Sequence, residues 1–157
     1  EPTVLKDLIT ECISVVQKPA ESMQVVNLVS VELPSVEVDR QQLRQALVNL
    51  MQNGVEAIGP DGTVKTKARV EGDDVVIEVI DNGCGVAVHL LSDIWKPLFT
   101  TKTRGSGLGL PMVKAVAQRH CGDVELTSAP GQGSTFRLRF PRLKPPAPET
   151  PKTEQKT

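Results

Sequence analysis

Aromatic residues, an excess of one charge and long apolar runs are all scarce in this 157-residue chain. With one Trp, three Phe and no Tyr, its core must be mainly aliphatic, and stacking of aromatic rings on nucleic-acid bases is not expected. Its 18 basic and 19 acidic residues leave a net charge of −1, which excludes a nucleic-acid or membrane binder driven by bulk charge. No apolar run approaches the roughly 18 residues that span a bilayer.

Cysteine is scarce too. Cys12, Cys84 and Cys121 are odd in number and show no Cys-x-x-Cys spacing, which argues against a disulfide framework or a zinc site and fits a reducing cytoplasm. The chain opens on Glu1 with neither Met nor signal peptide, so we expect an excised fragment. Its last segment, KPPAPETPKTEQKT, has no large apolar residue. This predicts one folded domain over residues 1–142 and a Pro-rich disordered tail over 143–157.

Apolar periodicity predicts the element order α-β-α-β-β-loop-α-β-β. Asp39, followed three residues later by Gln42, predicts the N-cap of the second helix. Helices and strands do not alternate strictly, so the expected fold is an α+β two-layer sandwich, with a mixed, mostly antiparallel sheet packed on about three helices. The expected helices are 4–17, 39–58 and 110–120, the expected strands are 24–32, 63–70, 75–80, 123–128 and 134–140, and residues 86–104 form a long irregular connection.

Five short motifs place polar residues and glycines at the ends of these elements. On the second helix, Asn49, Asn53 and Glu56 lie at positions i, i+4 and i+7 and therefore form one polar stripe. Directly after a strand, Asp81 begins Asp-Asn-Gly-Cys-Gly, which holds a carboxylate at the end of the sheet. The third helix opens on a glycine-rich turn whose free N–H groups can face an anion. The remaining three of the five motifs are IWKPLFTTK (94–102), this glycine-rich turn, GSGLGLP (105–111), and GQGST (131–135).

Each motif alone has an ordinary interpretation as a solvated helix face, a turn or a loop anchor. The glycine-rich turn is not a P-loop, since no Lys-Ser or Lys-Thr follows it, and it is not a dinucleotide fingerprint, because Leu110 stands where the third glycine should fall. Together and in this order, NLMQNGVEA, DNGCGV, PLFTTKTRGSGLGLPMV and GQGSTFRLRFP resemble the N, G1, F, G2 and G3 boxes of the GHKL ATPase superfamily. The resemblance covers residues 39–141 and is strongest to the catalytic ATP-binding domain of bacterial sensor histidine kinases, especially the nitrogen-regulatory type.

This resemblance implies the Bergerat ATP-binding fold, with ATP and Mg²⁺ as ligands. By resemblance, Asp81 would bind the exocyclic amine of adenine in a small apolar pocket. The glycines at Gly83 and Gly85 would let the backbone pass close to the base. The last of the five motifs would contribute Thr135 to the lining of the adenine pocket.

The same resemblance assigns the phosphate and metal ligands. Asn53 would bind Mg²⁺ through its side-chain oxygen, with Asn49 beside it. The phosphates would contact the side chains of Lys102 and Arg104. They would also contact the backbone N–H groups of the glycine-rich turn, at Gly105, Gly107, Leu108 and Gly109. The catalytic set would be Asn49, Asn53 and Lys102.

Asn49 also separates two reaction types. In the hydrolysing relatives, a Glu one helical turn before the Mg²⁺ asparagine acts as general base on water, and Asn49 cannot take a proton. Fast hydrolysis is therefore disfavoured. The γ-phosphate would instead go to a histidine on a separate dimerisation domain of the same kinase, which is absent here, and from the full-length kinase to a response regulator.

The phosphate acceptor is missing from this chain, because His89 and His120 are its only histidines and neither begins a His-Glu or His-Asp acceptor motif. We therefore expect a cytoplasmic, monomeric fragment that is inactive alone and contacts no membrane, although the full-length kinase can be membrane-attached. Glu56 stands where many sensor kinases carry a phosphate-contacting Lys. Two alternatives stay open: an anti-sigma-factor-like serine kinase, and a degenerate nucleotide-binding interaction module.

Overall fold

The computed structural model describes residues 2–17, 24–27, 33–59, 61–97 and 109–143. Within these ranges the helices are α1 (Leu5–Val16), α2 (Arg40–Ala57) and α3 (Gly109–Arg119), with short 3-10 helices at Val88–Leu90 and Asp93–Trp95. The strands there are β1 (Pro2–Thr3), β2 (Gln24–Asn27), β3 (Val36–Glu37), β4 (Thr63–Glu71), β5 (Asp74–Asp81), β6 (Asp123–Ser128) and β7 (Ser134–Pro141). No helix in the described ranges has the length and apolar character needed to cross a membrane.

The main sheet has five strands in the order β2-β4-β5-β7-β6. β2 pairs with β4 in parallel, and every other pair of neighbours is antiparallel. The three α-helices pack on one face of this sheet and share a single apolar core with it. The predicted α+β sandwich, a mixed and mostly antiparallel sheet on about three helices, is thus confirmed.

The two faces of the sheet differ in character because side chains alternate along each strand. On β7, Phe136, Leu138 and Phe140 are buried in the core, as their alternation predicts. The residues between them point to the face away from the helices, where Arg137 approaches the buried carboxylate of Glu78 at 3.9 Å. Mostly aliphatic side chains fill the rest of the core, so few aromatic residues are needed.

Four parts of the chain differ from the sequence-based expectation. α2 ends at Ala57 rather than 58, and the irregular connection contains the two 3-10 helices, which are too short to produce a periodic pattern. β1 and β3 were not expected; each is two residues long, and Val36 pairs with Thr3 on one side and bridges Arg142 on the other. The expected strand 24–32 is seen over Gln24–Asn27, and its remainder lies outside the described residues.

The start of α2 is held by a local N-cap and by a side chain that is distant in sequence. As predicted, Asp39 is the N-cap, and its Oδ1 accepts a hydrogen bond from the N–H of Gln42 at 3.0 Å. The backbone N–H of Asp39 donates to Nε2 of His120 at 3.0 Å, while Nδ1 of the same ring lies 2.8 Å from the carbonyl oxygen of Val116. The ring therefore holds its proton on Nδ1 and ties the end of α3 to the start of α2.

Candidate nucleotide-binding site

Asp81 is the last residue of β5 and lies on the face of the sheet that α2 covers. Its side chain is only 6% exposed, and its Oδ1 accepts a hydrogen bond from the N–H of Gly83 at 2.9 Å. α2 approaches this point closely because residue 54 is glycine. A Cβ added to Gly54 would lie 3.0 Å from a methyl group of Val64 and 3.5 Å from the Cβ of Asp81.

The turn that follows Asp81 is fastened to α2 and to the turn between β6 and β7. The N–H of Cys84 donates to the carbonyl of Ala57 at 3.3 Å, and its carbonyl accepts from the N–H of Gly131 at 2.8 Å. A Cβ on Gly83 would come within 2.5 Å of the Ala57 carbonyl oxygen. Gly85 has a φ of +72°, and its Cβ would come within 2.0 Å of a backbone oxygen of Ala129. Both glycines are thus required for close backbone contacts that hold this turn.

The strand register decides which side chain of β7 lies beside Asp81. Asp81 is opposite Ser134, whereas Thr135 is opposite Ile80. Neighbouring residues of a strand point to opposite faces, so Ser134 shares the face of Asp81 and Thr135 points to the face away from the helices. This differs from the expectation for Thr135, because the structure places Ser134, which is 8% exposed, and not Thr135 on the face of Asp81.

Ser128 supports this end of the site and was not found from the sequence. Its Oγ accepts a hydrogen bond from the N–H of Val86 at 2.8 Å. The same atom lies 2.9 Å from the carbonyl oxygen of Gly133 and 2.8 Å from Oγ of Ser134. A lone serine at the end of a strand carries no motif signal. The alternation of β7 could, however, have placed Ser134 on the buried face with Phe136.

The polar stripe of α2 runs along the side of the site. Asn49 and Asn53 are half-buried and Glu56 is exposed. Gly109, the first residue of α3, lies against Asn49, since a Cβ on it would come within 3.0 Å of the Oδ1 of Asn49. The structure thus brings the N-terminus of α3 next to the asparagine stripe. The remaining expected ligands, Lys102, Arg104, Gly105, Gly107 and Leu108, lie outside the described residues.

Trp95 anchors the connection between β5 and α3. Its ring meets Phe136 of β7 edge-on, with ring centres 6.0 Å apart and an angle of 89° between the planes. The ammonium group of Lys114 on α3 lies 5.4 Å from the centre of the Trp95 ring. This part of the connection is therefore packed between the sheet and α3, and is followed by the segment expected to meet the phosphates.

Comparison with known proteins agrees with this geometry. The family model described as "Histidine kinase-, DNA gyrase B-, and HSP90-like ATPase" matches residues 38–144. The sensor histidine kinase ZraS of Escherichia coli (strain K12) is 37% identical over 139 residues, which cover 87% of this chain and 30% of ZraS. The catalytic domain of the histidine kinase ThkA, solved without nucleotide, has a TM-score of 0.82 at 28% identity and covers 90% of this chain and 95% of that one.

A second solved structure, full-length ShkA in complex with AMPPNP, has a TM-score of 0.81 at 28% identity, over 94% of this chain and 32% of ShkA. The chain therefore spans under a third of the length of both ZraS and ShkA. Fold, motif order and sequence identity all lead to one assignment. The chain belongs to the histidine kinase-, DNA gyrase B- and HSP90-like ATPases, as an ATP-binding catalytic domain of the sensor histidine kinase type.

Proposed function

We propose that this domain binds ATP with Mg²⁺ and transfers the γ-phosphate to a histidine on a separate dimerisation domain of the same kinase. The observation that carries the proposal is the buried carboxylate of Asp81, held at the end of β5 beside α2 and opposite Ser134. The complex of the similar protein ShkA with AMPPNP supports nucleotide binding by this domain. A response regulator is the expected next phosphate acceptor.

Asp81 recognises the base. Because Gly83 donates its N–H to Oδ1, the carboxylate is oriented by the turn that follows it. An ionised carboxylate only accepts hydrogen bonds, so it binds the exocyclic amine of adenine in a charge-assisted contact.

Asn53 holds Mg²⁺, with Asn49 one helical turn away on the same face of α2. Amide oxygens are hard ligands of the kind that Mg²⁺ binds together with phosphate oxygens and water, so the donor set fits this ion. When bound, the ion neutralises charge on the phosphates. The backbone at Gly109 faces the same region from the start of α3, where free N–H groups attract phosphate. The other proposed phosphate ligands are Lys102, Arg104, Gly105, Gly107 and Leu108.

The domain positions ATP rather than activating water. Asn49 has no basic group at neutral pH, so a water molecule near it is not deprotonated and hydrolysis stays slow. Transfer then depends on an acceptor histidine brought by the partner domain, in line with the γ-phosphate. We further propose that residues 1–142 form this domain, that 143–157 are a tail, and that the domain is cytoplasmic and monomeric without its partner.

Binding of ATP tests the base-recognition role of Asp81. Titration calorimetry with MgATP should show binding by the wild type and a loss of about ten- to a hundredfold or more in Asp81→Asn, because a charge-assisted contact is removed. The matched control is Asp61→Asn, which makes the same change at an exposed position. Equal affinities in the two variants would overturn the assignment of Asp81.

Phosphate transfer tests the reaction. With labelled ATP, this chain alone should remain unlabelled. Adding a His-bearing helical-hairpin domain should give acid-labile, base-stable phosphohistidine on that domain. Acid-stable phosphoserine on a protein partner would instead favour the anti-sigma-factor-like alternative, and ATP binding with no transfer to either partner would favour the degenerate module.

A further inference from the structure

The hydroxyl group of Ser128 contacts three polar groups at once, and it can form hydrogen bonds with all three only if the hydrogens are arranged in a particular way. It ends β6 opposite Ser134, and its Oγ has three neighbours: the N–H of Val86, the carbonyl oxygen of Gly133 and the hydroxyl group of Ser134, all within 2.9 Å. A serine hydroxyl has one hydrogen to donate and two lone pairs with which to accept. These limits determine how the hydrogens are arranged.

Two of the three neighbours leave no choice. The N–H of Val86 can only donate, so it occupies one lone pair of Ser128, and the carbonyl of Gly133 can only accept, so it takes the single hydrogen of Ser128. The contact with Ser134 is then a hydrogen bond only if Ser134 donates to the second lone pair of Ser128. This is the arrangement that satisfies all three contacts, and it uses the hydrogen of Ser134.

We propose that Ser128 is a positioning residue for base selectivity, because it takes the hydrogen of Ser134 and leaves that hydroxyl with only lone pairs to offer a ligand. This inference rests on the proposed binding of ATP at Asp81. Ser134 lies directly opposite Asp81 on the same face of the sheet, so two acceptors stand side by side. They suit a purine with an amino group at C6 and oppose one with a carbonyl oxygen at C6.

Removing the hydroxyl of Ser128 changes Ser134 without touching the ligand. In Ser128→Ala, the hydrogen of Ser134 is released and can be donated to a carbonyl oxygen at C6. The penalty against such a base should therefore fall. The change removes no atom of Asp81, Gly83 or the asparagine stripe of α2, although the N–H of Val86 and the carbonyl of Gly133 also lose their contact with this hydroxyl group.

The test compares ATP with inosine triphosphate, which carries a carbonyl oxygen at C6, as magnesium complexes in calorimetric titrations. The ratio of the inosine triphosphate Kd to the ATP Kd should fall about five- to tenfold in Ser128→Ala, the size expected for one hydrogen bond. Ser134→Ala should lower the ratio by a similar factor. The double variant should lower it no further, because Ser128 acts through Ser134.

Two controls separate positioning from general support of the fold. Thr127→Ala removes a hydroxyl from the same strand on the opposite face, where it accepts a hydrogen bond from Arg137 at 2.7 Å, and should leave the ratio unchanged. Ser128→Thr keeps the hydroxyl and should keep the wild-type ratio. If Ser128→Ala does not fold, Ser134→Ala alone decides, since an unchanged ratio there refutes the inference.

Other outcomes are equally decisive. Equal weakening of both nucleotides in Ser128→Ala, or an effect of Ser128→Ala that persists in the Ser134→Ala background, overturns the positioning role while leaving the proposed function intact. A wild-type chain that binds neither nucleotide overturns the proposed function, and this inference with it.

Discussion

Gly133 and Gly131 form a matched pair of sites for testing how the turn before β7 supports Asp81. Both have a φ of +74°, so alanine is strained at either position. At Gly131, nothing lies within 4 Å of an added Cβ, whereas at Gly133 the Cβ would come within 2.0 Å of the carbonyl oxygen of Asp81. The two substitutions therefore differ only in the steric clash.

The expected losses follow from that difference. Left-handed backbone costs a residue other than glycine about 1–2 kcal/mol, of which the smaller entropy of the unfolded chain offsets part. Gly131→Ala should thus lower the free energy of unfolding by about 1 kcal/mol. Gly133→Ala should lose about 1–3 kcal/mol more, because the backbone at Asp81 must move to make room. That movement should also weaken ATP binding, which Gly131→Ala should leave intact.

Urea unfolding at 25 °C and titration with MgATP measure both quantities on the same proteins. Equal losses of stability in the two variants would show that conformational strain alone matters and that the contact between Gly133 and Asp81 does not. Unchanged ATP affinity in a folded but destabilised Gly133→Ala variant would show that the position of Asp81 is not set by this turn.

Further predictions concern the thiols and the histidines. Cys84 and Cys121 are exposed and should react with a thiol reagent in the native protein, whereas Cys12 is buried and should react only on unfolding. Fast reaction of all three thiols in the native protein would contradict this prediction. Burial raises the pKa of the Cys12 thiol from 9.0 to about 11, so between these values the folded state keeps a proton that the unfolded state loses. The free energy of unfolding should therefore fall between pH 9 and 11 in the wild type, and fall less in Cys12→Ala. His120→Leu removes the acceptor of the N–H at the start of α2 and should cost about 0.5–1.5 kcal/mol in urea unfolding, the net value of one hydrogen bond, because this N–H is open to water. The exposed His89→Leu should be near neutral, and equal costs would refute the role of His120 at the start of α2.

Much of the fold could be predicted because its signals are local. The N-cap at Asp39 depends on a hydrogen bond to a residue three positions away, and the alternation of β7 follows from the two-residue period of any strand. Both predictions are confirmed. The 3-10 helix at Val88–Leu90 escaped prediction because three residues are too few to show a period.

The second partner of the α2 cap could not be predicted in the same way. His120 is 81 residues from Asp39 along the chain, and nothing in either neighbourhood indicates that the ring accepts this N–H. The sequence suggested only that His120 lies at a helix end. The packing of α3 against α2 decided which group it would meet there.

The candidate site shows the same division. The sequence by itself determined that Asp81 would lie at the end of a strand and that Asn49 and Asn53 would share one helix face, because each statement depends on spacing within one segment. The resemblance to the GHKL ATPases depended instead on five motifs taken together in their order along the chain. Only the tertiary structure decided the register that sets Ser134 directly opposite Asp81, and the contact by which Ser128 supports Ser134. The physical reason is that side chains alternate between the faces of a sheet, so a shift of one residue between two paired strands moves a hydroxyl group to the other side.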